Sequence, residues 1–458
     1  MPPVRENRGV IRTFFPEDRV GRSLTLSTMA FALSSGVFYT VSTLYFTLVI
    51  GLGATTVGLG LGIAGGAGVL ASYASGRLAD RVGAHRVLMA ATALNGLAML
   101  AYTLASDAVV FTLAACLAAV MRSASSTSKQ TMLARWYTGP ERVAVRARMR
   151  VVTNVFIGLG TLAAAAALLT GTALAYQAAM VASGVLLLAA AVPLARLGAR
   201  VPELAARMVA SARGRAADAP AGGSSPLKDR TYLASVACNA VVAVQFGLLT
   251  VGVPLWVAST SAPTAIVSVL LVLNTVVVAV LQVRVSRGVH DVRRAGIAVR
   301  RASWLLALAC GLYALAGYGN VITACVLLLL AGLAHAFGEI LGEAGGWGMA
   351  FELADQRNAG AYQGLSQTGY AIAAMVSPVL VTATAIEHGT VGWLALAALF
   401  VAGGTGAAAV ARRHRPRATS VPDAPVPAGA SGRARGSAAA GDGDADQVAA
   451  AHPVQGAT

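Results

Sequence analysis

Three ionisable side chains spaced i, i+4 and i+8, His335, Glu339 and Glu343, sit in an apolar stretch that runs over 320–345. A helix turns about 100° per residue, so the three share one stripe. A second apolar stretch, 108–134, carries Arg122, Ser126 and Lys129 on a stripe of its own, with Ser125 alongside. Lys129 is one of only two lysines in the chain, the other being Lys228. Ionisable groups are costly in such surroundings and mark ion pathways or proton relays. The chemistry they suit is reversible protonation. Burial and a nearby cation act in opposite directions on a carboxylate's proton affinity. Glu339 is the expected principal carrier, with Glu343 as runner-up and His335 as the neighbour that tunes it. For Lys129 and Glu343 there is an alternative, in which long side chains near a boundary reach out to water.

These residues must be held by long apolar elements, and the composition says which kind. Of 458 residues, 56% are hydrophobic and 12% charged, with a mean hydropathy of +0.68. Water-soluble chains average about 25% charged residues, so a soluble enzyme is excluded. Apolar stretches fall near 24–50, 55–75, 86–106, 108–134, 148–170, 174–196, 231–257, 264–285, 296–317, 320–345, 362–386 and 391–411. A membrane-spanning helix needs roughly 20 residues, and only helices satisfy their own backbone in lipid at this composition. The expected fold class is all-α integral membrane, with twelve transmembrane helices in two six-helix pseudo-symmetric halves. Counted inward from Ala108 and Asn320, Arg122 and His335 then lie at matching depths.

The arginines orient the helices. They cluster before the first span, between spans two and three, at 142–150, across 196–230, around 284–301 and after 411. The six alternate connections, near 51–55, 107, 171–173, 258–263, 318–320 and 387–390, contain neither Lys nor Arg. Basic loops stay on the cytoplasmic side, so both termini and the central loop are expected there, in a bacterial inner (plasma) membrane. The net charge of +16 is thereby assigned to topology and not to nucleic acid. The expected layout is a cytoplasmic segment 1–22, a first half 23–196, a central loop 197–230, a second half 231–412 and a disordered tail 413–458. Residues 202–218 of the central loop read as a short amphipathic helix or a solvated linker. The first apolar run is too long for a cleavable signal peptide. The cysteines (Cys116, Cys238, Cys310, Cys325) lie in apolar runs with no CxxC pair, and no metal ligand set or phosphate-binding loop occurs.

Between spans two and three stands Gly76-Arg77-Leu78-Ala79-Asp80-Arg81-Val82-Gly83-Ala84-His85-Arg86. This resembles the signature loop of the major facilitator superfamily, G-x-L-A-D-R-x-G-R-(K/R), matching at Gly76, Leu78, Ala79, Asp80, Arg81, Gly83 and Arg86 and departing at Ala84. Gly76 and Gly83 allow a tight reversal, and Asp80 suits helix-terminal N–H groups or a basic neighbour. A degraded copy, with Asp291 standing 211 residues after Asp80, occupies the equivalent place in the second half. The resemblance implies that this loop locks the halves together on the cytoplasmic side and that spans one, four, seven and ten line the cavity, so that the basic stripe faces the acidic one, with Arg122 as the charge opposing Glu339 and Lys129 expected to approach Glu343. Arg122 also resembles the arginine of the L-x-x-x-R pattern of proton-coupled drug exporters, whereas the G-x-x-x-G-P signature of antiporters is missing from span five.

Ser35, Tyr39 and Ser42 in span one form a mixed hydroxyl and aromatic face. Together with Asn239, Gln245, Asn274 and Gln367 they are candidates to contact substrate, or else interhelical hydrogen bonds that hold the bundle. The expected function is secondary active transport by alternating access, with proton-coupled export of a drug or secondary metabolite as the leading reading. Proton-coupled uptake of a nutrient is the alternative within transport, and a transport-inactive sensor or scaffold the alternative outside it. The expected partners are a small-molecule substrate and the bilayer, for a monomer driven by the proton gradient, with no cofactor, no metal and no enzymatic activity.

Overall fold

Apolar runs rich in Leu, Ala and Val, punctuated by capping residues, set out the helices of the computed structural model, which describes residues 16, 18–205, 207–208, 225–289 and 291–414. The first six are α1 (Arg19–Leu44), α2 (Ala54–Val82), α3 (Ala84–Ala101), α4 (Ala108–Trp136), α5 (Pro140–Thr170) and α6 (Ala173–Arg200). The second six are α7 (starting at Arg230–Ala243 and reaching Val253–Val257), α8 (Ile266–Ser286), α9 (Val292–Ala316), α10 (Val321–Glu352), α11 (Ala359–Val381) and α12 (Glu387–Arg413). The last apolar helical segment, Gln356–Arg413, spans 58 residues and is divided at Gly389, whose φ of 54° no helix accepts. The described residues therefore form twelve membrane-spanning helices. Side chains of Asp18, Asp107, Thr172, Asp229, Asp291 and Asn320 accept from the first free N–H groups of α1, α4, α6, α7, α9 and α10. Such caps satisfy donors that lipid cannot.

The two halves repeat. Tyr102 closes α3 and is stacked with Phe38, Phe46 and Phe111 at centroid distances of 5.7, 5.0 and 5.9 Å. Tyr313 near the end of α9, 211 residues later, packs on Trp393 at 5.1 Å. That offset equals the one between Asp80 and Asp291. α1 and α7, the first helices of each half, both change to π-helix toward the arginine-poor end, at Tyr45–Val49 and Leu248–Gly252.

Three local expectations are corrected. α5 starts at Pro140 and not near 148, so its arginines belong to the helix itself. The Gly76–Arg81 segment is the last part of α2 and not a loop; the turn is Gly83 alone, with φ 104°. Asp291 caps α9 by accepting from the Arg294 N–H at 2.7 Å and is exposed, so it does not reach the other half. Of the central loop, Leu204 and Met208 are buried against the arginine-rich end. Residues 206 and 209–218 of the proposed amphipathic segment, the first residues and the tail beyond 414 lie outside the described residues.

Candidate functional site

The halves meet along two seams, both toward the arginine-rich end. The first joins α2 to α11 through bare backbone. A Cβ on Gly76 would collide with the carbonyl of Gly360, and one on Gly360 would collide with that of Gly76. Glycine is required at both places by this approach. Asp80 completes the seam: its carboxylate accepts from the N–H groups of Gly360 and Ala361, each at 2.8 Å, and pairs with Arg135 of α4 at 2.6 Å. It acts as an N-terminal cap for a helix of the opposite half, where the helix dipole also favours an anion. Arg81 and Arg86 are exposed and form no ion pair among the described residues.

The second seam is ionic and runs between α5 and α10. Arg142, Arg146 and Arg150 lie one turn apart on α5 and meet an antiparallel set on α10. Arg142 reaches Glu352 at 3.5 Å, the Arg146 guanidinium lies 5.1 Å from the Trp347 ring centroid, and Arg150 pairs with Glu339 at 2.9 Å. Asn274 of α8 donates to the other Glu339 oxygen at 3.2 Å. Glu343 lines the same space as Tyr370 of α11 and feels the charges of Arg150 and Arg146. Glu339 and Glu343 are 3% and 6% exposed, so neither is left to bulk water. A small cavity, about 10 Å³, is lined by both carboxylates with Asn239, Gln245 and Tyr370.

This replaces the expected pairing. The cation opposite Glu339 is Arg150, not Arg122, and those near Glu343 are Arg146 and Arg150, not Lys129. Arg122 instead donates to the Tyr39 hydroxyl at 2.6 Å, and Lys129 stands 6.0 Å from the Phe31 ring centroid. Arg146 and Arg150, expected as charges at the entrance of span five that set topology, are part of this seam. Arg142, Arg146 and Arg150 are spaced i, i+4 and i+8, which places them on one face once the segment is helical.

The remaining candidates divide. His335, 1% exposed, shares a 2.7 Å hydrogen bond with Gln245 of α7, which ties two helices of the same half. Gln367 of α11 accepts from Ser126 of α4 at 2.9 Å, a further link between halves. Asn239 donates to the Ser235 carbonyl of its own helix, as Ser35 does to Phe31. Ser42 is buried within α1 and Tyr39 is 55% exposed. Toward the arginine-poor end no hydrogen bond or ion pair joins the halves among the described residues.

The comparisons agree with this architecture. The family model described as Major Facilitator Superfamily matches residues 24–378. No curated protein matches the sequence significantly. Among solved structures, a bacterial homologue of the iron transporter ferroportin, in an outward-facing state, is similar with TM-score 0.66 and 14% identity, over 86% of this chain and 98% of that one. The proton:xylose symporter XylE gives 0.60 and 12%, over 84% and 94%. The human organic anion transporter MFSD10 gives 0.59 and 15%, over 86% and 99%. At such identities the likeness is one of fold, which is that of membrane-embedded transporters of small molecules. With its family model covering most of the sequence, this chain belongs to the major facilitator superfamily.

Proposed function

We propose that this protein is a secondary active transporter of a bacterial inner membrane, which exports a small organic molecule in exchange for protons by alternating access. Taking the arginine-rich end as cytoplasmic, the two seams seal the inner side while the halves stay unjoined outside, an outward-facing arrangement. The observation that carries the reading is Glu339, buried and held across the seam by Arg150 at 2.9 Å. A carboxylate's proton affinity depends on the cation beside it and on its hydration. When the inner side opens, α5 and α10 part, so Glu339 loses its cation and gains water in the same step. A coupled transporter needs a site whose affinity differs between its states, and this pair supplies one. Arg122, at the position resembling the exporter arginine, lies outside the pair and is free to serve the substrate. Export is favoured by that resemblance.

The test uses everted and right-side-out vesicles with a pH-sensitive dye. Substrate export by antiport dissipates the acid interior of energised everted vesicles when the compound is added. Alkalinisation of the medium around right-side-out vesicles would assign uptake instead. Glu339→Gln should abolish proton-driven movement and retain exchange of substrate down its own gradient. A full proton-driven response in Glu339→Gln would transfer the role to Glu343.

A further inference from the structure

A second cavity, about 150 Å³, lies wholly within the first half between α1, α3 and α4, and both Arg122 and Lys129 line it. A cavity of about this size holds a benzene ring. Its lining contains no Asp or Glu. Neither cation forms an ion pair among the described residues, and the charged neighbour that acts on Lys129 is Arg146, another cation. The carboxylates of the second half are already engaged, Glu339 by Arg150 and Glu343 by the charges of the α5 arginines. Two cations are therefore gathered in a membrane-embedded space with no anion to balance them, an arrangement that costs free energy unless a ligand completes it.

The polar lining is also incomplete. Thr28, 3% exposed, faces this cavity with its Oγ1 lacking any hydrogen-bond partner, and the buried Nε of Arg122 lacks one too. Guanidinium has five N–H donors, of which the Tyr39 hydroxyl takes one. Phe31, Leu24 and Leu88 supply the apolar remainder of the wall. Cations and unfilled hydroxyl and guanidinium groups on one side, with aromatic and aliphatic surface on the other, match a carboxylate carried on a small ring. A cationic ligand would be repelled by both Arg122 and Lys129.

We infer that this cavity binds the anionic group of the transported molecule, which is a small organic anion of the arylcarboxylate class. The inference rests on the transport reading above and names its substrate class. It also places the ligand beside the closed seam, because Ser126 lines the cavity and donates to Gln367 of the other half at 2.9 Å. A ligand competing for that hydroxyl loosens a link between the halves.

The experiment measures binding to the full chain in detergent, with no gradient present. The probes are benzoate and 1-naphthoate, their uncharged amides, benzylammonium and inorganic phosphate. The carboxylates should raise the melting temperature saturably, and the amides and benzylammonium should not. Arg122→Gln and Lys129→Gln should each weaken carboxylate binding by roughly tenfold to a hundredfold, the worth of a hydrogen bond to a charged group. Arg148→Gln, in α5 and outside this cavity, should leave it unchanged. Should either cation variant fail to fold, Thr28→Val tests the same wall. Equal stabilisation by carboxylate and amide, binding that survives both cation variants, or a response to phosphate alone would overturn the inference. Proton-coupled movement is scored separately in vesicles, so binding without such movement overturns the transport reading and leaves the anion site standing.

Discussion

Removing the Arg150 guanidinium should open the arginine-rich end, and by an amount that can be worked out. The pair at 2.9 Å joins side chains only 25% and 3% exposed, so screening by water is limited. A hydrogen bond to a charged group contributes about 1.5–3 kcal/mol, and each 1.4 kcal/mol or so is tenfold in population. Arg150→Gln should thus raise the open population roughly 10- to 150-fold. The single variant also strands Glu339 with Asn274 as its remaining hydrogen-bond partner, and an uncompensated buried charge adds a further penalty. The double variant Arg150→Gln/Glu339→Gln removes that charge and leaves two amides able to bond to each other. Opening should follow the order parent, then double, then single. A reporter is available in Ser72→Cys, on a chain with Cys116, Cys238, Cys310 and Cys325 replaced. Ser72 is 2% exposed and packed against Gly364 of α11, so a maleimide reaches it only when the seam parts. Alkylation rates at parent level in both variants, or faster alkylation in the double than in the single, would refute the reasoning.

The other expectations use the same reporter or vesicle assays. Asp80→Asn keeps the size but removes the negative charge that accepts from the Gly360 and Ala361 N–H groups across the seam. Alkylation of Ser72→Cys should rise at least about tenfold, since a hydrogen bond to a charged group contributes about 1.5–3 kcal/mol, while probe binding in detergent persists. Gly360→Val sets a branched side chain against the Gly76 carbonyl and the Asp80 carboxylate; transport should be lost with expression retained, and normal transport would remove this seam from the cycle. Tyr370→Phe deletes the hydroxyl beside Glu343 and should shift the pH profile of transport less than Glu343→Gln does. The reverse order would make Tyr370, and not the carboxylate, the group that matters there.

Helix number and the paired-half layout were legible because hydropathy and glycine punctuation act over about 20 residues at a time, a scale the chain repeats twelve times. The acidic stripe was legible for a related reason, since carboxylates have no topological use in the middle of an apolar helix. The basic stripe of α5 was not. Arginines at the entrance of a span carry two signals at once, orientation and pairing, and only the packing of α5 on α10 separates them. The α2–α11 seam was half visible. Gly76 and Asp80 belong to a recognisable pattern, but Gly360 and Gly364 gain meaning only when a second helix is brought against them.

The two seams differ in what they can sense. Gly76 against Gly360 is a contact of backbone on backbone, with a fit that leaves no room for a Cβ, and the charge in that seam is that of the Asp80 carboxylate on the Gly360 and Ala361 N–H groups. Its tightness gives the closed state a defined geometry. Arg150 against Glu339 is a contact of side chains long enough to part and re-form. Asn274 holds the carboxylate from α8 as Arg150 approaches from α5, so Glu339 keeps a partner within its own half when the halves separate. An acid with one partner fixed to its own half and one on the moving half changes surroundings without changing place. That asymmetry makes Glu339 the carrier to test first, ahead of Glu343, whose Tyr370 and α10 neighbours all stay in the second half while both α5 cations leave together.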